Sequence, residues 1–176
     1  MDLPKRKQIR LPEFDYSSPG AYFVTICTHE RQCILSDITV GAATSRPPEL
    51  HLSDNGEIVD RAINMITAIH PCISVDNYVI MPNHVHLILR ICTDNGGRQV
   101  AAPTVGSGTD GQQIAAPTIN SVIGQMKRWA TIQAKTTLWQ KSFYEHVIRN
   151  ENDYREIWRY IDDNPARWAE DKYYTE

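Results

Sequence analysis

The sequence has no run approaching the ~18 apolar residues of a membrane span, which excludes a transmembrane helix. Met1 to Leu11 is charged and lacks the apolar core of a secretory leader. Cysteine is sparse: Cys27, Cys33, Cys72 and Cys92 form no CxxC pair and are too few for a disulfide scaffold. These absences lead to the expectation of a soluble, cytoplasmic protein with no membrane partner. A basic surplus is missing too. The net charge is −3, against the usual balance of a nucleic-acid binder. The charge is nevertheless polarised. Lys5, Arg6, Lys7 and Arg10 face only Asp2, and Lys127, Arg128, Lys135, Lys141 and Arg149 face only Glu145 across 119–149. The acids collect after residue 150. A basic face beside an acidic tail suits a local anionic partner on a near-neutral total, although charge alone describes a solvated surface equally well.

Hydrophobic residues make up 41% and charged residues 22%, the mix of a globular chain, and 176 residues suit one domain spanning 1–176. Tyr22 to Thr28 (YFVTICT) reads as a strand, and Arg46 to Leu52 as an edge strand. Asp54-Asn-Gly-Glu57 resembles a capping box, and the apolar spacing of Val59, Ala62, Ile63, Ile66 and Ile69 predicts a helix over 55–69 that ends at Pro71. Ser74 to Met81 and His84 to Ile91 form a hairpin around the turn pair Pro82-Asn83. Residues 93–118 are rich in Gly, Thr, Ala and Gln and contain AAPT at 101–104 and 115–118, which is too short a repeat for a solenoid and reads as a flexible insertion. Helices follow over 119–135 and 151–163, the second capped by Asn150 or Asn152 and closed by Pro165. This order predicts an α+β fold, a ferredoxin/RRM-like antiparallel sheet with helices packed on one face and the other face open.

Two signals carry chemistry. In His84-Val85-His86 the strand period puts both imidazoles on one side and Val85, Leu87 and Leu89 on the core side. Two such imidazoles can share a metal, and two histidines on the polar face of a half-exposed strand give the same pattern. In the last helix, Tyr154, Ile157, Trp158 and Ile161 form the apolar stripe. Tyr160 lies roughly 100–120° away from it, with Asn164 one turn further on. That placement invites a functional reading, and a tyrosine at the core edge is the plain alternative. Tyr154 is the rival hydroxyl, but it fits the stripe and has Trp158 rather than an amide at i+4. Trp129 and Trp139 among Lys127, Arg128, Lys135 and Lys141 suit stacking and phosphate contact on a single strand; core tryptophans beside solvated cations would look alike. Lys5, Arg6, Lys7 and Arg10 suit a basic arm. His29, His51 and His70 carry no separable signal.

The stretch MPNHVHLIL, followed by WQKSFYEHVIRNENDYREIWRYIDDNP and preceded by YFVTICT, resembles the REP-associated tyrosine transposases. These belong to the wider single-tyrosine HUH transposase superfamily (insertion-sequence 200-like). The resemblance covers most of the chain. It implies His84 and His86 as metal ligands, Asn164 as the third ligand and Tyr160 as the nucleophile. His146 also matches a histidine of that pattern. The implied substrate is single-stranded, hairpin-bearing DNA, cut through a 5′-phosphotyrosine and rejoined, with a homodimer as one assembly found among relatives. The implied cofactor is Mg2+ or Mn2+. Imidazoles alone would also take Zn, Ni or Co, but an amide with several waters fits the harder octahedral ions. Lys127, Arg128, Lys135, Arg6 and Arg10 are then the expected DNA contacts. Competing readings are a non-catalytic hairpin-binding protein and a small-phosphoester enzyme sharing only the HxH, for which no further ligand is placed by motif. RNA binding on an open sheet is a third, without an RNP-type aromatic run to support it.

Overall fold

The computed structural model of the chain describes residues 17–39, 48–92 and 117–174. The expected basic arm with Arg6 and Arg10, residues 93–116 of the expected insertion and the beginning of the 46–52 strand lie outside the described residues; Thr118, the last residue of the second AAPT, caps the helix that follows.

Alternation along the central strands builds two cores from one sheet. β1 (Gly20–Cys27) sends Tyr22, Val24 and Ile26 to one side, and Ala21 and Phe23 to the other. β5 (His84–Ile91) pairs antiparallel with it, from Gly20↔Ile91 to Cys27↔His84, and sends Val85, Leu87 and Leu89 to the same side as Tyr22. β4 (Ile73–Met81) returns beside β5 through the Pro82-Asn83 turn, with one register shift between Val75 and Asn77. β6 (Tyr144–Ile148) pairs with the free edge of β1. The sheet order is β4-β5-β1-β6. A second sheet, the ribbon of β2 (Ser36–Thr39) and β3 (Glu49–Leu52), is inserted after β1.

α1 (Asp54–Asn64) and the single turn α2 (Ile66–Ile69) connect to β4, and α3 (Ile119–Ala134) connects β5 to β6. With the ribbon set aside, the chain runs β-α-β-β-α-β in the ferredoxin-like strand order. Val59, Ala62, Ile63, Ile119, Val122, Ile123 and Met126 pack on the Tyr22 side and form the main core. The expected helix-covered face is therefore made by α1, α2 and α3. α4 (Glu151–Asp163) lies across the opposite face, where Ile161 joins Ala21, Phe23, Ile88 and Ile148 in a smaller cluster. That face is only partly open, and its remaining part carries the histidines.

Local differences from the expectation have local causes. The helix expected over 55–69 is broken at Met65. Its cap is Ser53, not Asp54: the Ser53 hydroxyl accepts from the Gly56 amide at 3.1 Å while donating to the Ile34 carbonyl at 2.7 Å. α4 begins where expected, because the Asn150 side chain accepts from the Asp153 amide at 2.9 Å. α3 ends at Lys135, which adopts the left-handed conformation (φ 54°).

Candidate active site

The site begins with two histidines that face each other. His84 and His86 are both fully buried, and their Nε2 atoms stand 3.0 Å apart. Each ring is held from behind. His84 Nδ1 is 2.9 Å from the Asn83 amide oxygen, which only accepts, so Nδ1 carries the proton and Nε2 the lone pair. Asn83 is itself oriented by donating to the Tyr173 carbonyl at 2.7 Å. His86 Nδ1 lies 2.9 Å from the Thr25 hydroxyl, and Phe23 stacks on the ring at 5.2 Å. Burial pushes the His84 pKa down to about 4; Asp171 opposes this, and Lys172 and Arg31 reinforce it. Burial, then the neighbouring His84, pushes His86 well below its ordinary value. Both rings are neutral at physiological pH, the state in which imidazole binds metal.

α4 brings the tyrosine to this pair. The Tyr160 hydroxyl is 3.2 Å from His86 Nε2 and 3.3 Å from Asp171 Oδ2. Burial and then the Asp171 carboxylate push its pKa up to about 12. Asn164, at the end of α4 and 3% exposed, donates through Nδ2 to Asp171 Oδ2 at 3.1 Å. Its Oδ1 is buried without a donor. The tight segment Pro165–Glu170 then turns the chain back, and the Tyr173 amide fixes the other Asp171 oxygen at 2.7 Å.

The donor set fits a divalent cation. Nitrogen and oxygen atoms of His84, His86 and Asp171 lie within 4.8 Å of one another. His84 Nε2 carries a lone pair, so across 3.0 Å it faces on His86 Nε2 either a ring proton or a cation shared by the two. That spacing is what two adjacent ligands of an octahedral ion at about 2.1 Å would show. The orphaned Asn164 oxygen adds an acceptor beside them. A cleft of about 720 Å³ opens from this point, lined by Tyr160, Asn164, Asp171, Lys172, Arg159 and His146.

Of the residues singled out from sequence, His84, His86, Tyr160 and Asn164 thus come together. Tyr154 does not join them; its hydroxyl donates to Asp76 at 3.0 Å, and Arg90 covers its ring. His146 pairs with Asp153 at 3.0 Å on the cleft wall. Lys127 donates to the Gln140 and Lys141 carbonyls at 2.7 and 3.3 Å, so its ammonium is engaged in shaping the chain. Arg128 and Lys135 are exposed on and just after α3. Sequence reasoning missed Asp171, whose approach depends on the 165–170 turn. It also missed Thr25 and Asn83, which lie in stretches already singled out as a strand and a turn.

The fold and these side chains define a ferredoxin-like α+β domain with a buried His-His pair completed by a carboxylate and a tyrosine. The same architecture is found in the solved structure of a REP-associated tyrosine transposase bound to a REP hairpin, with TM-score 0.58 at 21% identity, over 90% of this chain and 73% of that one. No family model matches the chain. A protein of Haemophilus influenzae described as "Uncharacterized protein" is 31% identical over 176 residues, 97% of this chain and 94% of its own. The chain belongs to the same family as that protein.

Proposed function

We propose that the chain is a transposase-type, metal-dependent tyrosine strand transferase acting on single-stranded, hairpin-bearing DNA. One observation carries this reading: Tyr160, near the end of α4, places its hydroxyl 3.2 Å from the Nε2 of His86, which itself faces the Nε2 of His84. The solved structure of similar fold holds a REP hairpin, which supports hairpin DNA as the substrate class.

In this reading His84, His86 and Asp171, with the Asn164 oxygen, hold Mg2+ or Mn2+. The bound ion would supply stabilisation of charge developing on the phosphoryl oxygens. Asp171 Oδ2 accepts the Tyr160 proton, which is needed because the hydroxyl is a weak nucleophile at neutral pH. The Tyr160 oxygen bonds to phosphorus, the bond to the 3′ oxygen breaks, and that oxygen leaves as a 3′-OH carrying the proton that Asp171 took from Tyr160. The 5′-phosphotyrosine conserves the diester, so a DNA 3′-OH can reverse the step at another end. Tyr160 reaches histidines of its own chain, so a homodimer is not needed to assemble the site. Arg128 and Lys135 are the proposed DNA-facing cations, with Arg6 and Arg10 as an arm, and Lys127 adds its charge from where the Gln140 and Lys141 carbonyls hold it.

The test is incubation with Mn2+ or Mg2+ and labelled hairpin DNA from the flanks of the gene, with Tyr160→Phe alongside. A denaturation-resistant protein–DNA adduct, absent from the variant, is the expected result. An adduct that persists in Tyr160→Phe moves the nucleophile elsewhere. Tight, metal-independent binding with no adduct leaves a hairpin-binding protein instead.

A further inference from the structure

We propose that the DNA strand leaves the histidine pair across the Cys27 end of the sheet and lays its backbone in the groove between the last turns of α3 and residues 137–141. The proposal rests on the DNA-processing reading and adds a path to it. The larger cleft beside α4 is the less favourable route, because Asp153, Glu156, Asp163, Glu170 and Asp171 outnumber Arg159, Arg167 and Lys172 in its lining. A phosphodiester backbone there would meet a row of carboxylates. The groove beside α3, about 490 Å³, is lined by Lys127, Arg128 and Lys141 and by no carboxylate.

The two places are continuous. Cys27 is the register partner of His84 at the end of β1. From there the groove wall is stitched on: Gln140 donates to the Cys27 carbonyl at 3.0 Å, His29 donates to the Leu138 carbonyl at 2.8 Å, and Thr28 bridges to Trp139. Lys127 stands at this junction, its ammonium donating at 2.7 Å to the carbonyl of Gln140, the residue paired with Cys27. Arg31 and Lys172 both stand over the ring of Tyr173, which lies against His84. Cations therefore run from the histidines to the groove.

Arg31 is held there at a conformational cost. Glu30 (φ 53°) and Arg31 (φ 56°) are consecutive left-handed residues without a glycine. The turn is clamped by the Thr28 hydroxyl, which lies 2.8 Å from the Gln32 carbonyl and 3.0 Å from that of Asn83, the residue that orients His84. The result places the guanidinium 5.4 Å and the Lys172 ammonium 4.8 Å from the centre of the Tyr173 ring, which lies 4.7 Å from that of His84. At the far end, Trp139 lines the groove, and its indole N–H is buried without an acceptor. The exposed Arg128 fork beside it suits a phosphate group.

The experiment measures the salt dependence of binding for a single-stranded oligonucleotide long enough to reach the groove from the hairpin. Each phosphate contact contributes about 0.7 to the slope of log affinity against log salt. Arg31→Gln, Arg128→Gln and Lys141→Gln, all exposed changes that leave the cores intact, should each lower the slope by about 0.7. Arg61→Gln, at the end of α1, should leave it unchanged. Wild-type slopes in Arg128→Gln and Lys141→Gln would overturn the path. Adduct formation on the same oligonucleotide separates this from the parent reading. Lowered slopes without a wild-type adduct keep the path and remove the strand transfer; an adduct with unchanged slopes does the reverse.

Discussion

Each histidine of the site offers Nε2 because its Nδ1 is already engaged, His84 with Asn83 and His86 with Thr25. Such outer partners set ring orientation and tautomer, and their loss typically costs 10–100-fold in metal affinity. Asn83→Ala should therefore weaken Mn2+ binding by about 10–100-fold in calorimetry, without touching a proposed ligand. Unchanged affinity would mean that the backbone alone orients His84. Asp171 is testable in a different way. Its carboxylate raises the Tyr160 pKa, second only to burial. Asp171→Asn should lower the Tyr160 ionisation from about 12, read as an ultraviolet difference titration against Tyr160→Phe. A titration curve that does not move would remove Asp171 as the proton acceptor. These residues differ in how visible they were. The strand period set His84 and His86 on one side and the helix stripe left Tyr160 off it, as the structure has them, while their roles were implied only by the family resemblance. Asp171 was hidden among the acids after residue 150. Nothing in its spacing reveals that the Pro165–Glu170 turn folds it back onto the histidines.

At the scale of elements, the periodic segments were readable and the short ones were not. α4 follows its stripe and its Asn150 cap, and β5 follows its alternation. β2 has four residues and β6 five, too few for a period to stand out, and β6 places the charged Glu145 in a buried position. The break at Met65 was also illegible, since apolar spacing continues through Ile66 and Ile69. Two glycines separate local propensity from tertiary contact. A methyl on Gly56 would overlap the Leu35 carbonyl oxygen. That oxygen cannot retreat easily, because it accepts from the Ser53 amide at 2.9 Å. Gly56→Ala should thus cost about 2–3 kcal/mol as overpacking. Gly124, within α3, has nothing within 4 Å of where a Cβ would stand. Gly124→Ala should gain about 0.5–1 kcal/mol by reducing the freedom of the unfolded chain. Urea midpoints of the two variants should move in opposite directions, and a shared direction would contradict the packing assigned to α1.

For the whole molecule, one sheet with a large core on one face and a small one on the other places a polar cluster inside the protein, and this couples stability to pH. The α+β class and the hairpin followed from sequence; the lodging of α4 on the histidine face did not, because an amphipathic stripe does not say which face it seeks. Burial on that face has a thermodynamic signature. In the unfolded chain a histidine takes up a proton near pH ~6.5, whereas folded His84 resists until about pH 4. The unfolded state therefore binds more protons as pH falls below 6.5, so stability is complete above that value and declines toward pH 4. His86, lowered in the same direction, adds to the loss. The decline from His84 should be on the order of 3 kcal/mol, at about 1.4 kcal/mol per pH unit. Urea midpoints at pH 7.5, 5.5 and 4.5 should fall steeply for the wild type and more gently for His84→Gln, while His51→Gln, an exposed change, should track the wild type. Mn2+, if it binds these rings, should raise the midpoint at neutral pH and lose that effect on acidification, since protons and metal then compete for the same nitrogens. Parallel curves for the wild type and His84→Gln would show that the acid sensitivity arises from other groups.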